Sequence, residues 1–500
     1  MPGVVSSESA DQRIPKGRQT VTEEQQKKTT SSSREVDMLH GPLAGKIFMF
    51  ALPLALSSML QQLFNAADLA VVGRFTNPQA MAAVGSNSSM ISLLVSLFVG
   101  MSVGANVVIG NLMGQGRRDK ISDAVHTAVA LSLVSGVFLM VTGLIVAQPA
   151  LRIMGAPEDV IRLATLYLRI YFCGMPMITV YNFASAILRG KGDSRRPFLA
   201  LVSAGILNIL LNLFFVIVCG MSVAGVALAT VLSNCLSGGL TLWFLMREEG
   251  EFHLDLRRLR IRREHLIGIL RIGIPAGVQG MVFSISNVVI QSAINSFGAA
   301  CIAGMTAAQN IDYISYCLMN AFAQTCVTFT AQNYGASQIR RCRKVWSISM
   351  IMGLGLDIVL LTLMIIFRGP IVGMFTTDPE VTRFAMIRIR YVITLHFICG
   401  SYEITGGALR GMNRSTVPAV ISLLGTCLVR LIYVMWIFPL HRTPAMLILV
   451  YPITWTITTT AMNAVYLRIL GKELQKEKQH TEELSSTASV AAHGHAAAGA

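Results

Sequence analysis

Twelve stretches of this chain are long and apolar enough to cross a lipid bilayer, and nothing else in the sequence constrains the fold as strongly. A helix rises 1.5 Å per residue, so about 20 apolar residues span the hydrocarbon core. By that measure the sequence predicts spans over 46–73, 82–112, 122–147, 159–188, 197–218, 222–246, 265–296, 299–333, 345–367, 380–409, 417–438 and 445–469. Several exceed the minimum, as tilted or protruding helices do. Only 13% of the 500 residues are Asp, Glu, Lys or Arg, while 53% are hydrophobic; a soluble chain carries about twice that charge. The expected class is an all-α membrane protein in contact with the lipid bilayer. Disordered, collagen-like and disulfide-scaffold classes are excluded.

The formal charge of +15 would suit a nucleic-acid binder if it were spread over a soluble surface. It is not. Nineteen Lys and Arg lie in the loops after even-numbered spans, from Arg117 to Arg414, against four (Arg74, Arg152, Arg368 and Arg442) after odd-numbered ones. The positive-inside rule then puts both termini in the cytoplasm, in a plasma (inner) membrane, with no nucleic-acid partner. Residues 1–45 are polar and poor in aromatics, the composition of a disordered cytosolic arm, and have no signal-peptide pattern. Residues 471–500 are expected to be a disordered tail, and His493 and His495 within it are not assigned a metal. Between the halves, 248–264 alternates Phe252, Leu254, Leu256, Leu259 and Ile261 with charge, as a basic connecting segment on the inner membrane surface would. The nine cysteines form no CxxC pair and read as small apolar packing residues.

The chain repeats itself. A shift of 221 or 222 residues aligns Pro53 with Pro275, Asn65 with Asn287, Gly114 with Gly335, Arg189-Gly190 with Arg410-Gly411 and Pro197 with Pro418. Each half holds six spans, an even number, so the N-lobe (46–247) and the C-lobe (265–470) share one orientation. Parallel repeats of this kind are a transporter architecture with the substrate path between the halves.

A carboxylate inside an apolar span costs about 2.5–3.5 kcal/mol on insertion scales, so each one needs a partner or a job. Ser57, Gln61, Asn65 and Asp68 are spaced 4, 4 and 3, along one face of the first span. Asn208 and Asn212 share a face of the fifth span, and Thr230, Asn234 and Ser237 a face of the sixth. One carboxylate among amide and hydroxyl oxygens suits a proton or a hard cation such as Na⁺; an interhelical hydrogen-bond network that merely holds the bundle is the alternative. In the second half, Asn287, Gln291 and Asn295 line one face of the seventh span, and Gln309, Asp312, Tyr316 and Asn320 one face of the eighth. Asn65, Asn287, Gln291, Asp312, Tyr316 and His396 are the candidate substrate-cavity residues. Glu403 shares a face with His396, Gly400 and Gly407, where small neighbours would leave room for a ligand, and is a candidate second coupling acid or half of a buried pair. Asp357 stands alone in the ninth span, and Arg430 could partner one of these acids.

No GxxxxGK[ST], HExxH or GxSxG motif occurs, so neither ATP hydrolysis nor these enzyme chemistries are expected. The segments ALPLALSSMLQQLFNAADLAVVGRF (51–75), AILRGKGDSRRPFL (186–199), ILNILLNLFFVIV with VAGVALAT (206–230) and GALRGMNRSTVPA (407–419) resemble the multidrug and toxic compound extrusion (MATE) family, bacterial type, over about 46–470. The resemblance implies two six-helix lobes around a central cavity and export of small amphipathic cations, by a monomer without cofactor, driven by H⁺ or Na⁺. It maps the family's amino-lobe cation site onto Gln61, Asp68, Asn208, Asn212 and Thr230. Many members have Asp where this chain has Asn212, which leaves Asp68 as the lobe's single site carboxylate. A lipid-linked sugar flippase of the same superfamily would need several Arg or Lys in its cavity, and a membrane-embedded transferase clustered acids or a large extramembrane loop.

Overall fold

The computed structural model describes residues 35–76, 78–153 and 158–498. Among these there is no strand, and ten helices are long and apolar enough to cross a membrane. An eleventh crossing is a bent pair, Val160–Cys173 and Met175–Lys191, which turns by 48°. The bend follows from Gly174-Met175-Pro176, because a proline lacks the N–H for the helical bond and crowds the carbonyl four residues back. The remaining long helix, Ala299–Gly335, has the length to cross but is the most polar of the set, with Gln309, Asn310, Asp312, Asn320 and Gln324 along it. Much of it is buried against other helices, which is where a polar span can be tolerated. Ten or eleven of the twelve predicted spans thus meet the apolarity of a crossing, and the predicted span 299–333 is a helix that falls short of it.

The last helix, Val450–Ala498, runs on through the segment from Gly471 that reads as disordered by composition. Glu, Lys, Gln and Ala propagate a helix with no proline to stop it, Leu474 packs against the C-lobe core, and Glu477 lies 3.7 Å from Arg340. The side chains of His493 and His495 lie outside the described residues.

Each lobe's first helix is shared. Leu43, Ile47, Phe50, Ala51 and Leu54 at the start of Leu43–Phe75 belong to the core built by the C-lobe, while Asp68 and Val72 turn to the N-lobe. Ile269, near the start of Arg263–Asn295, is in turn buried in the N-lobe core. The lobes meet at their basic end around a pseudo-two-fold axis. Asn106 donates to Thr328 Oγ1 at 2.9 Å, and these two positions are 222 apart, each the other's repeat mate. A Cβ on Gly114 would strike the carbonyl of Gln332, and one on Gly335 the carbonyl of Asn111, a reciprocal pair. Asn111 donates to Asn413 Oδ1 at 2.9 Å and Gln332 to the Gly190 carbonyl at 2.8 Å. Gly100 and Gly104 of the second helix face Gly277 and Gly273 of the seventh, so two GxxxG stretches let the backbones touch.

The expected disordered arm lies outside the described residues as far as position 34. From 35 onward it is docked across both lobes. Glu35 pairs with Lys191 at 2.6 Å and the Val36 amide donates to the Gly192 carbonyl, while Asn333 and Arg341 of the C-lobe donate to the carbonyl of fully buried Met38.

The connecting segment is pinned at Glu248, which binds Lys191 at 2.5 Å and also Arg196. Burial alone would raise this carboxyl, but the two cations outweigh it and hold the pKa below the ordinary glutamate range. Its contribution to stability is therefore full above about pH 4.3 and fades as pH falls through the lowered value. Glu248→Gln takes one acid from each cation, leaving Lys191 to Glu35 and Arg196 to Asp193, and is expected to cost about 2 kcal/mol near neutral pH, the loss of charge-assisted hydrogen bonds. Thermal unfolding in detergent checks this, with the gap between variant and parent closing in strong acid.

Candidate functional site

In the N-lobe the predicted polar residues converge. Asp68 on the first helix is 7% exposed. Asn212 Nδ2 donates to its Oδ1 at 2.5 Å and Thr230 Oγ1 to its Oδ2 at 3.3 Å. Asn212 also donates to Asn208 Oδ1 at 3.2 Å, one helical turn away, and Asn234 caps the Thr230 carbonyl at 2.8 Å. The first and fifth helices come this close because Gly205 offers no Cβ to the ring of Phe64. The carboxylate thus holds two donors, and the buried Asn212 Oδ1 has no hydrogen-bond partner. That open acceptor completes a site where a proton on Asp68 finds a second oxygen, or where Na⁺ finds several. Gln61, two turns earlier on the first helix, is exposed and makes no hydrogen bond to Asp68; Asn65 is exposed as well. Tyr167 and Tyr171, stacked at 6.1 Å, stand within electrostatic reach of Asp68. Only their spacing of four on a single apolar span could have drawn attention to them.

The C-lobe residues separate into groups. Asp312 and His396 come together with Asp357 and Arg388. Arg388 Nη2 lies 3.0 Å from Asp312 Oδ2, His396 Nε2 is 3.7 Å from Asp312 Oδ1, and Ser315 Oγ reaches both Asp357 Oδ1 (2.5 Å) and His396 Nδ1 (2.7 Å). Asp357 is therefore not isolated. Arg430, fully buried, meets no acid among the described residues: it donates to Asn287 Oδ1 at 2.9 Å and sits over the rings of Phe283 and Tyr451. Two π-helical stretches, Leu423–Leu428 and Tyr433–Ile437, flank the single turn that carries it. Gln291 donates to Asn295 on the exposed face and joins neither group. Tyr316 lies one turn beyond Asp312, near Glu403. The space expected beside Glu403 is filled, because Cβ atoms on Gly400 and Gly407 would collide with Met319 and the Ala323 carbonyl of the eighth helix. Those glycines serve close helix packing.

Two polar centres, one per lobe, on a parallel repeat are a transporter's arrangement. The MatE family model matches residues 53–214 and, a second time, 275–436. The chain belongs to the MatE family. Both matches are offset by the 222 residues that relate the two halves. The "Probable multidrug resistance protein YoeA" of Bacillus subtilis (strain 168) is 29% identical over 386 residues, 75% of this chain and 82% of that protein. The "Probable multidrug resistance protein NorM" of Thermotoga maritima is 25% identical over 398 residues, covering 77% and 84%. A solved structure described as MATE in complex with MaL6 superposes with a TM-score of 0.82 over 88% of this chain and 99% of its own, at 22% identity, a likeness of fold. As a MatE protein the chain is a multi-pass membrane transporter and not an enzyme.

Proposed function

We propose that this MatE protein is a secondary-active exporter of small, amphipathic, cationic compounds, working as a monomer that exchanges them for H⁺ or Na⁺ bound at Asp68. The observation that carries this reading is the buried Asp68 carboxylate, gripped by Asn212 and Thr230 from two other helices, with the Asn212 carbonyl oxygen unpartnered. Occupancy by the cation favours one facing of the lobes and substrate the other. One charge crossing the membrane contributes about 2.3 kcal/mol per 100 mV. The names of the relatives, two probable multidrug resistance proteins, agree with export of drugs. Cells that express the protein are expected to hold less of a fluorescent lipophilic cation than cells without it, and to lose the difference when the ion gradients are collapsed. Equal accumulation in both would reject the export reading.

In this reading the basic end, where the lobes meet, faces the cytoplasm. Exposed Arg257 lies in the connecting segment and exposed Thr377 in an opposite loop. With single cysteines at these positions in a cysteine-free background, an impermeant maleimide on whole cells should label Thr377→Cys and spare Arg257→Cys. The reverse pattern inverts the topology.

A further inference from the structure

We propose that the C-lobe holds a second proton-binding site, at His396 Nε2, set between Asp312 and Asp357. The unmet hydrogen bonds of a buried cluster carry this inference. Ser315 Oγ has one hydrogen and stands at hydrogen-bond distance from two acceptors, Asp357 Oδ1 at 2.5 Å and His396 Nδ1 at 2.7 Å. With that hydrogen on Asp357, Nδ1 must carry a proton to satisfy Ser315. The neutral ring then presents a bare Nε2 to Asp312 Oδ1, 3.7 Å away, and Asp312 Oδ1 is buried without a partner. Two acceptors face each other with no hydrogen between them. Moving the single ring proton to Nε2 only transfers the deficit to the Ser315 side. A ring with two protons serves both carboxylates.

Charge leads to the same place. Around the imidazole stand Asp312 from the eighth helix, Asp357 from the ninth and Trp455 from the twelfth; Arg388 of the tenth binds Asp312 and lies over the Tyr451 ring, which packs on Trp455, and Cys399 lies one turn on along the imidazole's own helix. Arg430 stands beyond Tyr451, its guanidinium 4.7 Å from the ring centre. Two carboxylates against Arg388 leave the cluster at −1 with neutral His396. Uptake of one proton from water onto Nε2 brings it to zero, the state a buried site favours. Gln309, one turn before Asp312 on the same face of the eighth helix, is exposed. The binding site stands on this geometry alone; its part in coupling rests on the antiport reading above.

Histidine-selective ¹⁵N labelling of the full-length protein in detergent tests it. The resonances absent from His396→Gln identify the residue; if that variant does not insert, those displaced in both Asp312→Asn and Asp357→Asn do so. The expected result is a ring that passes from two protons to one between about pH 5 and 9, with proton affinity lowered about tenfold or more in Asp312→Asn. In proteoliposomes, His396→Gln should change the pH dependence of export while leaving its dependence on Asp68 intact. A ring that keeps a single proton across the whole range, or a titration indifferent to both aspartates, overturns the site. Because the resonance is read without transport, failure of the export reading leaves this result standing.

Discussion

Asp68→Asn is expected to reduce coupled export to background while the protein still inserts and folds. The substitution keeps the shape of the side chain and its ability to hydrogen-bond to Asn212 and Thr230, so the contacts that join the first, fifth and sixth helices survive. It removes the only group at the site that can change charge. Asn208 and Asn212 are neutral amides and Thr230 a hydroxyl, so no neighbour can take over the titration, and a sodium ion would lose its one formal negative partner. A purely structural Asp68 would give a nearly normal exporter, because a network of hydrogen bonds tolerates Asn. Dye accumulation in cells with matched membrane abundance separates the two. Export at close to the parental rate, still responsive to the gradient, would sink the assignment.

Gly277→Leu is expected to stop turnover from the other side, by denying the lobes their close contact between the second and seventh helices. A Cβ at position 277 would lie on the backbone of Leu97, and Gly100 opposite is equally close to Gly277. The obstacle is main chain, so no rotamer change relieves it. Overpacking costs about 1–3 kcal/mol, a roughly 5- to 150-fold shift away from the closed state. Spin labels at exposed Gln115 and Arg343, one in each lobe at the basic end, should report a longer distance in the variant, together with loss of export. An unchanged distance with normal export would show that this contact does not limit the cycle.

The spans, the repeat and the N-lobe centre were legible because each leaves a one-dimensional trace. Apolar runs have a length set by the bilayer, and an acid such as Asp68 inside one is too costly to be incidental. Asn208 and Asn212 share a face by their spacing alone. The C-lobe cluster was not legible as a unit. Asp312, Asp357, Arg388 and His396 come from three separate spans, and nothing in their order tells which acid meets which cation. Arg388 was further hidden by Arg383 and Arg390 in a segment whose charge reads as a membrane border. Gly400 and Gly407 misled for a related reason: a missing side chain signals either open space or another backbone, and only the eighth helix decides. The docking of 35–42 escaped composition altogether, since it depends mainly on carbonyls accepting from Asn333 and Arg341.

The claim that one carboxylate couples an ion gradient to export is tested most directly in proteoliposomes loaded with a lipophilic cation. A pH gradient and a Na⁺ gradient are imposed separately on the parent and on Asp68→Asn, each at zero membrane potential. One of the two gradients should drive the parent to move substrate against its own concentration difference, and neither should drive the variant. Movement in the parent that only runs downhill under both gradients, or equal uphill movement in the variant, would contradict the account.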